Sequence, residues 1–281
     1  MSGPSPLSEA LDEIRETVRA SDRIFLFLDF DGTLSPIAPT PDAARLPEGT
    51  RTILEELSRR PDYVIAIVSG RGLDDVRDRV GIEGLFYAGN HGLEIRGGGM
   101  SFNEPSASEL RSRLALIHQK LKGRLSSIPG ILVESKGLSA SVHYRQAFAM
   151  HFREIEDSIR ALVSEGHPDF AVSPGKMVWE VRPRVGWHKG RAVRWLLEQL
   201  WAEKSITIYI GDDVTDEDAF KEVGPRFSIR VGEDRSTEAA YCIRDTKRVA
   251  SFLLWLSIVS RREDGRGLRR SGPSADPEAF G

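Results

Sequence analysis

Ile24-Phe25-Leu26-Phe27-Leu28-Asp29-Phe30-Asp31-Gly32-Thr33 sets five consecutive apolar side chains directly before two acids and a glycine. A run with no polar alternation reads as a strand buried on both faces, as in a parallel sheet covered by helices. The pattern repeats on the C-terminal side. Residues 50–60 have helical spacing, 63–68 form a β-branched run stopping at Ser69-Gly70, 73–80 look helical, and 85–88 form a short strand. Upstream, Leu7, Leu11, Ile14 and Val18 recur at helical intervals after a Ser/Pro-rich leader. Such alternation implies a parallel sheet with helices on both faces.

The rhythm breaks near residue 93. Residues 93–95 and 100–102 flank Arg96-Gly97-Gly98-Gly99, a hairpin signal, and a long helical pattern follows through Leu110, Leu114, Ile117 and Leu121. Strands are expected at 131–135 and 138–145. In the second, Leu138, Ala140, Val142 and Tyr144 alternate onto one face, as in a half-solvated antiparallel sheet. A helix over 148–165 and strands at 170–173 and 177–181 complete a block with the look of an insertion. From Lys189 the first rhythm resumes: a helix to about 201, a strand at 206–210 ending in Gly211-Asp212-Asp213, a helix from Thr215, a strand at 227–231 and a last helix at 247–259. The fold class is therefore α/β, a doubly wound parallel-sheet (Rossmann-like) core made of residues 1–96 and 188–260. A smaller α/β unit, 97–187, is inserted, and 261–281 forms a flexible tail too rich in Gly, Pro and charge to bury itself.

Composition narrows the function classes. Lys plus Arg total 39 against 42 Asp plus Glu, a net charge of −3, which supplies no basic footprint for nucleic acid. No apolar stretch approaches the roughly 20 residues that cross a bilayer. The single cysteine, Cys242, cannot form an internal disulfide, and the acidic N-terminal stretch is unlike a signal peptide, so the expected location is cytoplasmic.

In open α/β sheets, ligands bind beyond the carboxyl ends of the strands. Four such places carry polar clusters: Asp29 to Thr33, Ser69 to Arg71, His188 to Gly190 where the core resumes, and Gly211 to Asp218. Asp29 and Asp31 lie two apart on extended chain, and crowded carboxylates repel unless a cation separates them. With Asp212, Asp213 and Asp216 from another strand end they make an all-oxygen set, which suits Mg²⁺ better than Zn²⁺. Structural readings stand beside these. Thr215 with Asp218 resembles a capping box, Asp31 before Gly32 an Asx turn, and Lys189 a solvated first-turn lysine, although a cation there sits badly with the helix dipole unless an anion is near.

Four of these segments, in this order, resemble the motifs of the haloacid dehalogenase-like phosphohydrolase superfamily: Asp29-Phe30-Asp31-Gly32-Thr33, Ser69, Lys189, and Asp212, Asp213 with Asp216. Within it, Gly89-Asn90-His91-Gly92-Leu93-Glu94 and Val133-Glu134-Ser135-Lys136-Gly137-Leu138-Ser139 make the chain similar to the trehalose-phosphate phosphatase family from about residue 24 to 231. Ser135 stands where an Asp is commoner. The resemblance implies Mg²⁺ held by Asp29, the Asp31 backbone carbonyl and the acids at 212, 213 and 216, with the remaining phosphate oxygens gripped by Ser69 and Lys189. It implies Asp29 as nucleophile and Asp31 as general acid and base. It assigns the distal glucose to Glu134, Lys136, Arg145, Lys176 and Glu180 of a cap, with Arg71, Asn90, His91 and Glu94 at the core edge beside it. For the cap residues a solvated face of cross-strand ion pairs is the alternative, and for His91 a turn. The expected activity is hydrolysis of trehalose 6-phosphate. The competing readings are another sugar phosphate such as sucrose 6-phosphate or a glycosylglycerate phosphate, a phosphotransferase, and a non-catalytic sensor. A trehalose-phosphate synthase is a candidate partner, and the chain is expected to act as a monomer.

Overall fold

The computed structural model describes residues 3–164, 167–201, 204–224, 227–234 and 236–260; the expected tail lies outside them. In chain order the strands are β1 (Ser5–Pro6), β2 (Arg23–Leu28), β3 (Tyr63–Val68), β4 (Phe86–Gly89), β5 (Glu94–Gly97), β6 (Met100–Asn103), β7 (Leu132–Ser135), β8 (Ala140–His143), β9 (Phe170–Gly175), β10 (Val178–Pro183), β11 (Ser205–Gly211), β12 (Ser228–Val231) and β13 (Tyr241–Ile243). The helices are α1 (Leu11–Ala20), α2 (Glu48–Ser58), α3 (Leu73–Val80), α4 (Pro105–Glu109), α5 (Arg111–Leu125), α6 (Phe152–Ser164), α7 (Lys189–Gln199), α8 (Glu217–Val223) and α9 (Thr246–Val259).

The large sheet runs β1-β13-β12-β11-β2-β3-β4-β5-β6. Its strands are parallel up to β4, and β5 and β6 close the edge antiparallel. Central β2 explains the two layers around it. Ile24, Leu26 and Leu28 pack into a cluster with α1, α2, α3 and α9, whereas Phe25 and Phe27 point the other way into a cluster with α7 and α8. Every residue of the apolar run is buried, as the absence of alternation requires.

The small sheet, β7-β8-β10-β9, is antiparallel throughout. One face, with Ala140, Val142, Phe170 and Val181, packs on α5 and α6 through Leu114, Ile117, Leu121, Ile155 and Ile159. The opposite face is not the solvated one that alternation suggests. Ser139 and Ser141 are fully buried because this face lies against the carboxyl ends of the large sheet's strands.

Two further expectations change. The glycine-rich hairpin, read as the start of the insertion, extends the large sheet instead: β5 pairs with β4, and β6 pairs with β5. Gly98-Gly99 makes the turn between the paired Gly97 and Met100, and Phe102 of β6 stacks on Trp187, with ring centroids 4.6 Å apart, and meets Trp195 at 5.0 Å. The sheet pairing thus carries residues 97–103, expected in the inserted unit, with the core. In addition, the leader holds β1, which adds to β13 at the sheet edge, where proline's missing N–H is tolerated. Among the described residues no helix is long and apolar enough to cross a membrane.

The two-sided burial of β2 makes a test of the layer arrangement. Leu26→Ala is expected to cost about 2–5 kcal/mol, the range for a buried leucine truncated in a close-packed core. Leu254→Ala, on the outward face of α9 at 47% exposure, is expected to stay within about 0.5 kcal/mol. Urea denaturation with an unchanged slope checks both.

Candidate active site

Asp29 is the first residue beyond β2, and its N–H donates to the Ile210 carbonyl of β11 (3.0 Å), so parallel pairing sets it beside the end of the neighbouring strand. Gly211 and Asp212 follow there, and the chain turns through a 3-10 segment, Val214–Asp216, into α8. The turn is capped by Asp213 and Asp216 rather than by Thr215 and Asp218. Asp213 Oδ1 accepts from Val214 N–H (2.8 Å), and Asp216 Oδ2 accepts from the N–H groups of Asp212 (3.1 Å) and Asp213 (2.9 Å). This folds the Asp216 carboxylate back beneath the loop. Ligand oxygens of Asp29, Asp212 and Asp216 consequently lie within 4.8 Å of one another, and all three residues are buried. Gly32 makes the close approach possible: its φ is +85°, and a Cβ there would sit 2.0 Å from Asp212 Oδ2.

Lys189, the first residue of α7, reaches into this group. Its ammonium donates to Asp29 Oδ1 and Asp216 Oδ1, each at 2.8 Å, and the side chain is 2% exposed. The anion demanded by a lysine at a helix N-terminus is thus present twice. Burial would favour the neutral amine, but Asp216 and Asp29 outweigh it and raise the pKa. Burial pushes the Asp29 carboxyl well above its ordinary range, with Asp216 and Asp212 adding to the rise and Lys189 opposing it. For Asp216 burial acts in the same sense, yet the charge and hydrogen bond of Lys189, with the Tyr209 hydroxyl (2.6 Å), hold it below the usual range. Asp212 is raised by burial, and the half-exposed Lys176 ammonium pairs with it from the small sheet, donating also to its backbone carbonyl (3.1 Å).

The group keeps an unpartnered oxygen for a cation. Three buried carboxylates face two ammonium groups, and Asp212 Oδ1 is buried without a hydrogen-bond partner. An all-oxygen donor set with an unsatisfied carboxylate oxygen fits Mg²⁺. The carboxylates of Asp31 and Asp213 stand outside that set. Asp31 turns to Arg71, and Asp213 caps the turn.

Above the acids lies one cleft, lined from the large sheet by Asp29, Asp31, Ser69, Arg71, His91, Lys189, Asp212 and Asp213 and from the small sheet by Glu134, Lys136, Arg145, Lys176 and Glu180. Glu180 is the hub of its upper wall. It accepts from Lys136 Nζ (3.2 Å) and is 2.7 Å from His91 Nε2. Burial opposes its ionisation, but His91 and Lys136 hold its pKa well below the ordinary value, while burial depresses that of His91. Lys136 Nζ also donates to the Gly70 carbonyl (3.0 Å), and Arg145 Nη2 to that of Lys176 (2.6 Å).

Asn90 and Glu94 are absent from that lining. The Asn90 side-chain amide donates to Glu94 (2.8 Å) and to the Lys136 carbonyl (2.9 Å), and its oxygen accepts from Ser139 Oγ (2.6 Å), so these residues join the two sheets. Trp187 is a packing residue, stacked on Phe102 with its indole N–H donating to the Gly92 carbonyl (2.7 Å). Sequence reasoning gave no role to Tyr209 or Asp75, and placed His143 only on the polar face of its strand, beside Arg145. Tyr209 is a phenol at a fully buried position of β11, and a buried hydroxyl demands a partner. Asp75 lies one helical turn from Arg71. His143, on the polar face of β8, pairs across the strands with Glu134 at 2.8 Å.

Comparison with known proteins follows this geometry. A family model described as Trehalose-phosphatase matches residues 27–247. The chain is 40% identical over 238 residues to the trehalose-phosphate phosphatase of Mycobacterium marinum, covering 81% of this chain and 60% of that protein. It is 36% identical over 277 residues to the probable trehalose-phosphate phosphatase 4 of Oryza sativa subsp. japonica, covering 94% and 74%. The C-terminal domain of trehalose-6-phosphate phosphatase from C. albicans superposes with a TM-score of 0.76 at 22% identity, over 91% of this chain and 98% of that one, and so shares the fold.

Removing the central cation tests the charge balance. Lys189→Met leaves Asp29 and Asp216 buried without their shared partner, which is expected to cost about 3–5 kcal/mol near neutral pH. A carboxyl raised in the folded state binds more protons folded than unfolded, so its stability contribution falls as pH rises from the usual carboxylate range toward the raised value. Without Lys189 that rise is larger. In EDTA, the stability gap between wild type and variant should therefore widen from pH 5 to pH 8 in urea melts; a gap that does not change with pH would contradict the assignment.

Proposed function

The chain belongs to the trehalose-phosphatase family, and on that premise we propose that it hydrolyses trehalose 6-phosphate to trehalose and inorganic phosphate. The observation that carries this reading is that a single cleft holds the buried acids and Lys189 on one wall and the polar face of Glu134, Lys136 and Glu180 on the other. The floor suits a phosphate and the roof a sugar.

Asp29, Asp212 and Asp216 would hold Mg²⁺, together with the backbone carbonyl of Asp31. When bound, the ion supplies positive charge that offsets the oxygens of a doubly negative phosphate ester. Lys189, kept cationic by Asp29 and Asp216, adds charge from the side of α7. Ser69, 1% exposed, accepts from the Arg71 N–H (3.2 Å) and keeps its own proton to donate to a phosphoryl oxygen. Asp29 attacks phosphorus to form an aspartyl-phosphate, and Asp31 on the adjoining wall protonates the departing sugar oxygen. Asp31, now a carboxylate, takes a proton from the water that attacks the phosphorus, and Asp29 is released.

On the roof, the ionised Glu180 and the ammonium of Lys136 offer an acceptor and donors to sugar hydroxyls, and Glu134, Arg145 and Lys176 extend the set. These groups are fixed by one another and by the backbone, so they meet the sugar already oriented. The small sheet acts as a cap that limits water at the reacting phosphorus.

A phosphate-release panel of trehalose 6-phosphate, sucrose 6-phosphate, a glycosylglycerate phosphate and glucose 6-phosphate tests the reading. Trehalose 6-phosphate should be turned over fastest, and EDTA should abolish turnover until Mg²⁺ is restored. Asp29→Asn should lower it at least about a thousandfold. Calorimetric binding of trehalose 6-phosphate without turnover at saturating Mg²⁺ would support the sensor reading instead.

A further inference from the structure

We propose that Arg71 acts as the positioning residue of the acid/base Asp31, not as a ligand of the sugar; this rests on the phosphatase reading above. The geometry is a fork on a carboxylate. Arg71 Nε donates to Asp31 Oδ2 (2.6 Å) and Nη2 to Asp31 Oδ1 (2.8 Å). The guanidinium is itself fixed on three sides. Nη1 donates to Asp75 Oδ2 (2.8 Å), Nη2 also donates to the Pro41 carbonyl (3.0 Å), and the plane lies over the Phe30 ring at 5.5 Å. Asp75 is in turn held by Arg79 Nε (2.8 Å).

Donor arithmetic leaves Arg71 a single N–H for any other partner. A guanidinium has five N–H bonds, and four are spent on Asp31, Asp75 and Pro41. Both residues line the cleft, but the Arg71 side chain is only 8% exposed against 36% for Asp31. The group that meets the substrate is therefore Asp31, and Arg71 decides where it stands. Without that anchor, Asp31 sits on a short loop beyond β2 with a wide choice of rotamers. In the first chemical step the bond from Asp29 oxygen to phosphorus forms, the bond from phosphorus to the sugar oxygen breaks, and the Asp31 proton passes to that oxygen. The neutral carboxyl keeps its carbonyl oxygen on Arg71 while its O–H faces the leaving group. After the transfer both oxygens return to the fork.

The leaving group supplies the test. A sugar alkoxide needs the proton, whereas p-nitrophenolate departs without it. In Arg71→Met, kcat/KM for trehalose 6-phosphate should fall about a hundredfold, the scale of general acid catalysis. For p-nitrophenyl phosphate it should change by less than about threefold. Arg71→Lys keeps the charge but loses the fork, and should show the same selective deficit in smaller degree. In an Asp31→Asn background, Arg71→Met should add nothing further on trehalose 6-phosphate, as expected of two residues acting through one group. Equal losses on both substrates, or a loss on trehalose 6-phosphate that persists in the Asp31→Asn background, would overturn the proposal. If wild type hydrolyses neither substrate in Mg²⁺, the phosphatase reading fails first and this assignment falls with it.

Discussion

The Lys189 ammonium between two buried carboxylates is the contact on which the rest of the molecule depends. Asp29 and Asp216 come from opposite ends of the chain, and neither would remain in a water-poor interior unless a fixed cation stood between them. The cation comes from the first turn of α7, where a lysine is out of place electrostatically unless acids face it. Each misfit corrects the other. The price of the arrangement is paid in burial, and it is recovered only if the core closes with β2 and β11 side by side, which ties the site's assembly to the fold itself.

Charge also governs how the two sheets meet. Beside a small apolar cluster of Leu93, Ala107 and Leu138, the interface between them holds a chain of buried polar contacts: His91 on Glu180, Lys136 on Glu180 and on the Gly70 carbonyl, and Asn90 on Ser139. Polar groups out of water must be matched with good geometry, and a slight shift would leave several unpaired at once. Such an interface specifies a docking position more sharply than a greasy one. Lys176 extends the same logic to the acids themselves, since the small sheet reaches Asp212 through it.

Legibility in the sequence followed how local the deciding physics is. Two-faced burial of a parallel strand writes an unbroken apolar run, so β2 and β3 and the acids beyond β2 could be read directly, and the strand-end rule led to Ser69, Lys189 and Asp212. Which sheet a hairpin joins is not local. Residues 94–103 make the same turn in either unit, and only the stacking of Phe102 on Trp187 and pairing with β4 decide for the large sheet. Strand β1 is two residues containing a proline and carries no periodicity at all. Side-chain direction was the other gap. Arg71, Asn90 and Glu94 were found beside the cleft, but the sequence could not tell that their polar atoms are spent on Asp31, Lys136 and one another.

The turn at Asn90-His91 joins these threads. Both residues adopt positive φ, 51° and 59°, a conformation that side chains with a Cβ avoid and that costs of order 1–3 kcal/mol each when imposed. The strain has identifiable compensation. Asn90 N–H donates to the Arg71 carbonyl (2.6 Å) and His91 N–H to that of Ser69 (2.8 Å), so the turn is fastened to the segment that carries Ser69 and Arg71. Its two side chains point the other way, into Ser139 and Glu180 of the small sheet. The left-handed pair holds both, and so ties the two walls of the cleft to one piece of backbone, which any motion of the small sheet must either carry along or break.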